Sequence, residues 1–166
     1  MDYIYNLVNE QIERYGTRNP FEICDDCEIY VKFTENLKNL SGMYTVTNDI
    51  PVIVINSNKD EYMQKMVCAH ELGHHFLHSE VAKEKCLQEF EIFNMCDRIE
   101  YEANIFASHL LIDEKRMISL FREGYDSFYT AKMFDVDPNL LNIKLTDMNR
   151  MGWNFNTSWS GTRMFR

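Results

Sequence analysis

The feature that most limits what this chain can fold into is the run "VCAHELGHHFLHSE" at residues 67–80, which holds four of its five histidines. His70 and His74 stand four residues apart with Glu71 after the first, the pattern His-Glu-x-x-His. On a helix, residues so spaced share one face about 6 Å apart along the axis, so both imidazoles can reach one ion. Zinc accepts imidazole nitrogen at about 2 Å and prefers four ligands. Glu71 is then expected beside the ion rather than on it, placed to hold a water without using a coordination position. The flanking residues, "MVCAHELGHHFLH", are mostly apolar. They argue for a buried helix rather than histidines on a wet face. Gly73 costs about 1 kcal/mol against alanine inside a helix, and so points to close approach by another part of the chain.

The other histidines are read differently. His78 lies about 12 Å along the axis from His70, too far to share its ion, and His75 points about 100° away from His74. Both are expected at the surface or behind the ligands. His109 receives no role.

A third ligand is available in "DRIEYEANIFASHLLID", residues 97–113, which reads as a second helix. Glu100 shares a flank with Ala103, Asn104 and Ala107, whose small side chains would let this helix approach the first. Glu102 lies on the opposite flank with Phe106 and His109. Periodicity leaves both carboxylates open; the small-residue flank favours Glu100. Asn104, four residues after Glu100, is placed to orient a ligand histidine through its other ring nitrogen.

Around these two segments the chain alternates order and turns. Residues 3–15 carry a helical apolar stripe closed by Gly16, and "NPFEICDDC" reads as a short helix capped by Asn19 with Pro20 in its first turn. Three strand-like runs follow, "EIYVKF", "GMYTVT" and "PVIVIN"; the last is continuously apolar, hence central, and Asn48-Asp49 supplies the turn before it. The motif helix is expected from about 59 to 78, residues 79–96 stay ambiguous, and Asp97, Asp113 and Asp137-Pro138 each open a further helix. The fold class is α+β, a small antiparallel sheet packed on helices. Residues 1–123 are expected to form the core domain and 124–166 a small helical extension packed on it.

Composition narrows the function. The 166 residues are 45% hydrophobic with 13% aromatics, enough for a packed core. A formal net charge of −9 argues against a direct grip on nucleic acid, which depends on lysine and arginine neutralising phosphates. No apolar run approaches the ~20 residues of a membrane span, and the acidic, amphipathic start does not read as a signal peptide. A cytoplasmic protein is expected. The odd set of five cysteines, 24, 27, 68, 86 and 96, does not suggest a disulfide framework, and Cys24-x-x-Cys27 lacks a second pair for a structural metal.

Taken together, "AHELGHHFLH" and "EYEANIFASHLLI" resemble the ImmA/IrrE metallopeptidases, and the likeness runs more loosely from residue 1 to about 150 through "FEIC", "SGMY…IVIN" and "TAKMFDVDPNLLNIKL". The resemblance implies a zincin-like metallopeptidase core and one catalytic zinc, with manganese or iron as substitutes, held by His70, His74 and Glu100, and Glu71 as the catalytic glutamate. It also implies a protein substrate, a helix-turn-helix repressor, cut to release its genes. Where this chain has "LLID", family members often carry a proline after the leucines, which bears on the next helix rather than on the metal. The expected activity is therefore zinc-dependent endopeptidase cleavage. The competing readings are a non-catalytic module that binds a regulator through the C-terminal helices, and a metal-dependent hydrolase of non-peptide bonds.

Overall fold

Short-range rules place the first elements. In a computed structural model that describes residues 2–84, 86–89 and 97–157, helix α1 (Asp2–Tyr15) ends where Gly16 takes a left-handed φ of 68°. Helix α2 (Pro20–Asp26) starts as expected, the Asn19 side chain accepting from the Phe21 backbone N–H. Strands β1 (Tyr30–Thr34), β2 (Gly42–Thr47) and β3 (Ile50–Asn56) follow. Asn48 and Asp49 join β2 to β3 with φ values of 51° and 63°, the left-handed pair that lets a two-residue turn follow the strand twist.

The sheet is mixed, where a wholly antiparallel one was expected. Its order is β1-β3-β2-β4, with β1 parallel to β3 and the other neighbours antiparallel. The reason lies in the 35–41 connection. It returns the chain antiparallel to β1 but one position away, and the tight hairpin then sends β3 back into the gap. The continuously apolar β3 is thus central, and its residues 53–56 are buried.

Helix α3 (Glu61–Glu84) runs past the expected end near residue 78, and its helical geometry breaks at His78 (φ −134°, ψ 20°). Strand β4 (Leu87–Glu89) falls in the segment that sequence left ambiguous; Phe90, Ile92, Phe93 and Cys96 lie outside the described residues. Helices α4 (Arg98–Leu111), α5 (Glu114–Arg122), α6 (Ser127–Met133) and α7 (Pro138–Arg150) are capped by Asp97, Asp113, Asp126 and Asp137. Beyond α7, Phe155 is buried and stacks on Trp153, while residues 158–166 are outside the described set. Among the described residues, no helix is long and apolar enough to cross a membrane.

The layers explain why the motif helix is apolar on every side. β2 and β3 cover one face of α3, α4 covers another, and α1 and α7 back α4 in turn. Every residue from Met66 to His74 is buried. Two glycines set the spacing. A Cβ on Gly73 would lie 3.1 Å from both the Ala103 Cα and the Phe106 Cβ, so α4 rests directly on the α3 backbone. A Cβ on Gly42 would lie 2.4 Å from Val67 Cγ1 and 2.8 Å from Glu71 Oε1, so β2 lies equally close on the other side.

Candidate metal centre

The close seat of α4 on Gly73 brings Glu100 to the histidine pair. His70 Nε2 is 3.1 Å from Glu100 Oε2, His74 Nε2 is 3.5 Å from that oxygen, and the two Nε2 atoms are 3.1 Å apart. For ligands about 2.0–2.1 Å from a tetrahedral ion, the edge between two donors is about 3.3–3.4 Å. The observed triangle has that size, so His70, His74 and Glu100 can hold one ion between them.

The hydrogen-bond pattern agrees with the distances. His70 Nδ1 is 3.0 Å from Asn104 Oδ1, an oxygen that can only accept, so Nδ1 carries a proton, and in the neutral ring the Nε2 lone pair faces the carboxylate. Two acceptors at 3.1 Å suit a shared cation. Burial, outweighing the nearby Glu100, lowers the pKa of His74 to about 4, which leaves that ring neutral at pH 7. His70 and His74 are 0% and 1% exposed, which excludes the wet-face reading of the histidine run.

The second helix divides its carboxylates between two tasks. Glu100 turns to the triangle, whereas Glu102 Oε2 meets His78 Nε2 at 3.1 Å and its other oxygen accepts from Arg98 Nε at 2.7 Å. His78 is buried, and its Nδ1 is 3.1 Å from His74 Nδ1. Sequence excluded His78 as a ligand but gave it no partner. The cue was present: His78 is four residues after His74, on the same helical face, and Glu102 two after Glu100. His75 faces the sheet instead, its Nδ1 3.0 Å from the hydroxyl of Tyr44, and burial lowers its pKa.

Glu71 is fully buried and lies against Gly42 of β2, the position that admits no side chain. Cys24 and Cys68 are buried free thiols with sulfurs 3.8 Å apart, and Cys27 donates to the Tyr15 hydroxyl; neither member of Cys24-x-x-Cys27 belongs to the triangle. At the far end of α4, His109 acquires a partner set that no local sequence pattern announces. Its Nε2–H donates to Asp147 (3.0 Å), and its Nδ1 accepts from Lys144 (3.1 Å), whose ammonium also donates to the Ile112 carbonyl.

Comparison with known proteins agrees with this geometry. The chain is 30% identical over 151 residues to Metallopeptidase ImmA of Bacillus subtilis (strain 168), covering 87% of this chain and 85% of that protein. It is 36% identical over 107 residues to "Uncharacterized immunity region protein 2" of Bacillus phage phi105, covering 64% of this chain and 66% of that protein. Residues 24–146, which include the whole triangle, match the peptidase family model described as the IrrE N-terminal-like domain (Peptidase_M78). The chain belongs to this ImmA/IrrE metallopeptidase family.

Proposed function

We propose that this chain is a zinc-dependent endopeptidase that cleaves a helix-turn-helix repressor at a specific bond. The observation that carries the reading is the triangle of two imidazole nitrogens and one carboxylate oxygen, three edges of 3.1–3.5 Å. Three such donors with a fourth position for water are the set expected of a catalytic rather than a structural zinc site. Zinc bound there supplies a Lewis acid and makes water acidic enough to ionise near neutral pH.

The chain's own residues do the rest. Glu71 takes the proton of the attacking water and returns it to the leaving amine, so its carboxylate must face the nucleophile without binding the ion. Burial against Gly42 holds that carboxylate in one place. Asn104 keeps His70 in the tautomer that presents Nε2.

The substrate segment is extended and pairs with a sheet edge. Among the described residues β2 and β3 have neighbours on both sides, which leaves β1 and β4 as the edges. Of the two edges, β4 is nearer the centre, because Glu89 pairs with Gly42 and Gly42 touches Glu71. The repressor target is supported by kinship with proteins named for metallopeptidase activity and for a phage immunity region.

The test is incubation of the purified protein with the repressor encoded beside it, with and without chelator. Zinc-dependent fragments of defined mass are expected. An intact repressor held in a stable complex would replace this reading with that of a sequestering module.

A further inference from the structure

Beyond the three donors, the geometry points to His78 and Glu102 as positioning residues that fix the ring of His74; this rests on the metal site proposed above. A histidine that offers Nε2 to a metal must carry its proton on Nδ1, and the surroundings have to enforce that choice. For His70 the device is simple, since Asn104 Oδ1 only accepts. For His74 the neighbour is another imidazole, His78 Nδ1 at 3.1 Å, which by itself can donate or accept.

Glu102 removes the ambiguity. Its Oε2 lies 3.1 Å from His78 Nε2, and a carboxylate accepts only, so the His78 proton belongs on Nε2. His78 Nδ1 is then a lone pair, His74 Nδ1–H donates to it, and the His74 lone pair is left on Nε2, in the triangle. One carboxylate thus sets two tautomers in series. Arg98 Nε, 2.7 Å from the other Glu102 oxygen, holds the outer end. The order Arg98, Glu102, His78, His74 contains one donor and one acceptor at every contact. The break in helical geometry at His78 and its burial mark it as a built position, not a surface residue following the helix.

The experiment measures zinc affinity by competition with a chromogenic chelator, alongside the melting temperature of each zinc-free variant. His78→Leu removes the acceptor and is expected to weaken zinc binding about 10–100-fold. His78→Gln, whose side-chain carbonyl can accept from His74 Nδ1–H, should recover most of that loss. Glu102→Leu leaves the His78 tautomer unfixed and should give a smaller loss in the same direction. A purely packing role would lower the melting temperature of both leucine variants and leave the zinc Kd of the folded fraction at the wild-type value, which overturns the proposal. Should His78→Leu fail to fold, the partly exposed Glu102 decides: wild-type affinity in Glu102→Leu refutes the relay. Nitrogen NMR of the zinc-loaded wild type gives an independent reading, with the His78 proton expected on Nε2; a proton on Nδ1 contradicts it. A wild-type chain that binds no zinc removes the metal site and the relay together, whereas wild-type binding with both leucine variants unchanged removes the relay alone.

Discussion

A buried histidine cluster lies at each end of helix α4, and the two are built on opposite principles. At its C-terminal end, Lys144 donates to His109, and His109 donates to Asp147. Donor meets acceptor at every contact, and the terminal donor is part of the chain, a lysine whose pKa burial lowers to about 7. At its N-terminal end, two imidazole Nε2 atoms and a carboxylate oxygen converge within 3.5 Å. With both rings neutral and protonated on Nδ1, acceptor meets acceptor there, which suits an added cation. Burial pushes one histidine in each cluster down to about pKa 4, so a perturbed histidine alone does not distinguish them. The direction of the hydrogen bonds does. One cluster locks α4 to α7, and the other gathers three donors that could hold an ion.

The strongest way to break this division is Glu71→Gln. It should cost about 10²–10⁴-fold in cleavage rate, the usual range for a general base, while zinc stoichiometry and melting temperature stay put. Retained cleavage would remove the assigned role of Glu71. Lys144→Met addresses the other cluster. It leaves His109 Nδ1 and the Ile112 carbonyl without their donor and should destabilise by about 1–3 kcal/mol for each buried acceptor left unpaired, read by denaturant titration, with zinc affinity unchanged. A loss of zinc affinity equal to that of a ligand variant would show that the two clusters act as one.

Acid sharpens the comparison further. His109 is held at about 4, chiefly by burial and then by the charge of Lys144, against an ordinary value near 6.5. Because the unfolded chain takes up this proton first, stability contributed by the neutral ring is fully present above about pH 6.5 and lost as pH falls towards 4. The loss is of order 3 kcal/mol in the zinc-free protein. His74 follows the same sign, and because zinc binds only its neutral form, the protection zinc gives against unfolding should shrink as pH falls. Unfolding curves at pH 7 and 4.5, with and without zinc, check both; zinc protection equal at the two pH values would contradict it.

Gly73→Ala has the smallest expected effect. The new Cβ would press on Ala103 and Phe106 from 3.1 Å, costing about 1–3 kcal/mol of stability as α4 shifts outward. Zinc affinity should fall with it, since Glu100 rides on α4. A destabilised variant with full zinc affinity would show that the glycine serves packing alone.

The contrast also marks what sequence could reveal. His70, Glu71 and His74 are legible because one helix fixes their spacing, and Gly73 announced the neighbour that rests on it. Glu100 was separable from Glu102 by the small residues on its flank and by the family resemblance, not by periodicity, and the structure gives the two carboxylates different partners. Caps and turns were equally legible, Asn19, Asn48-Asp49 and Asp113 among them, because their chemistry is local. The parallel pairing of β1 with β3 was not, since it depends on where the 35–41 connection leaves the chain. Nor was the Lys144–His109–Asp147 cluster, which exists only once α7 docks on α4. Long-range docking writes no periodic pattern.

The central claim is that two imidazoles of α3 and one carboxylate of α4 bind a single ion. X-ray absorption at the zinc edge, on protein loaded with one equivalent, tests it directly. The account predicts two imidazole nitrogens and carboxylate or water oxygens at about 2.0–2.1 Å, with the carboxylate contribution lost in Glu100→Ala. A sulfur shell near 2.3 Å, or a spectrum unchanged by Glu100→Ala, would contradict it.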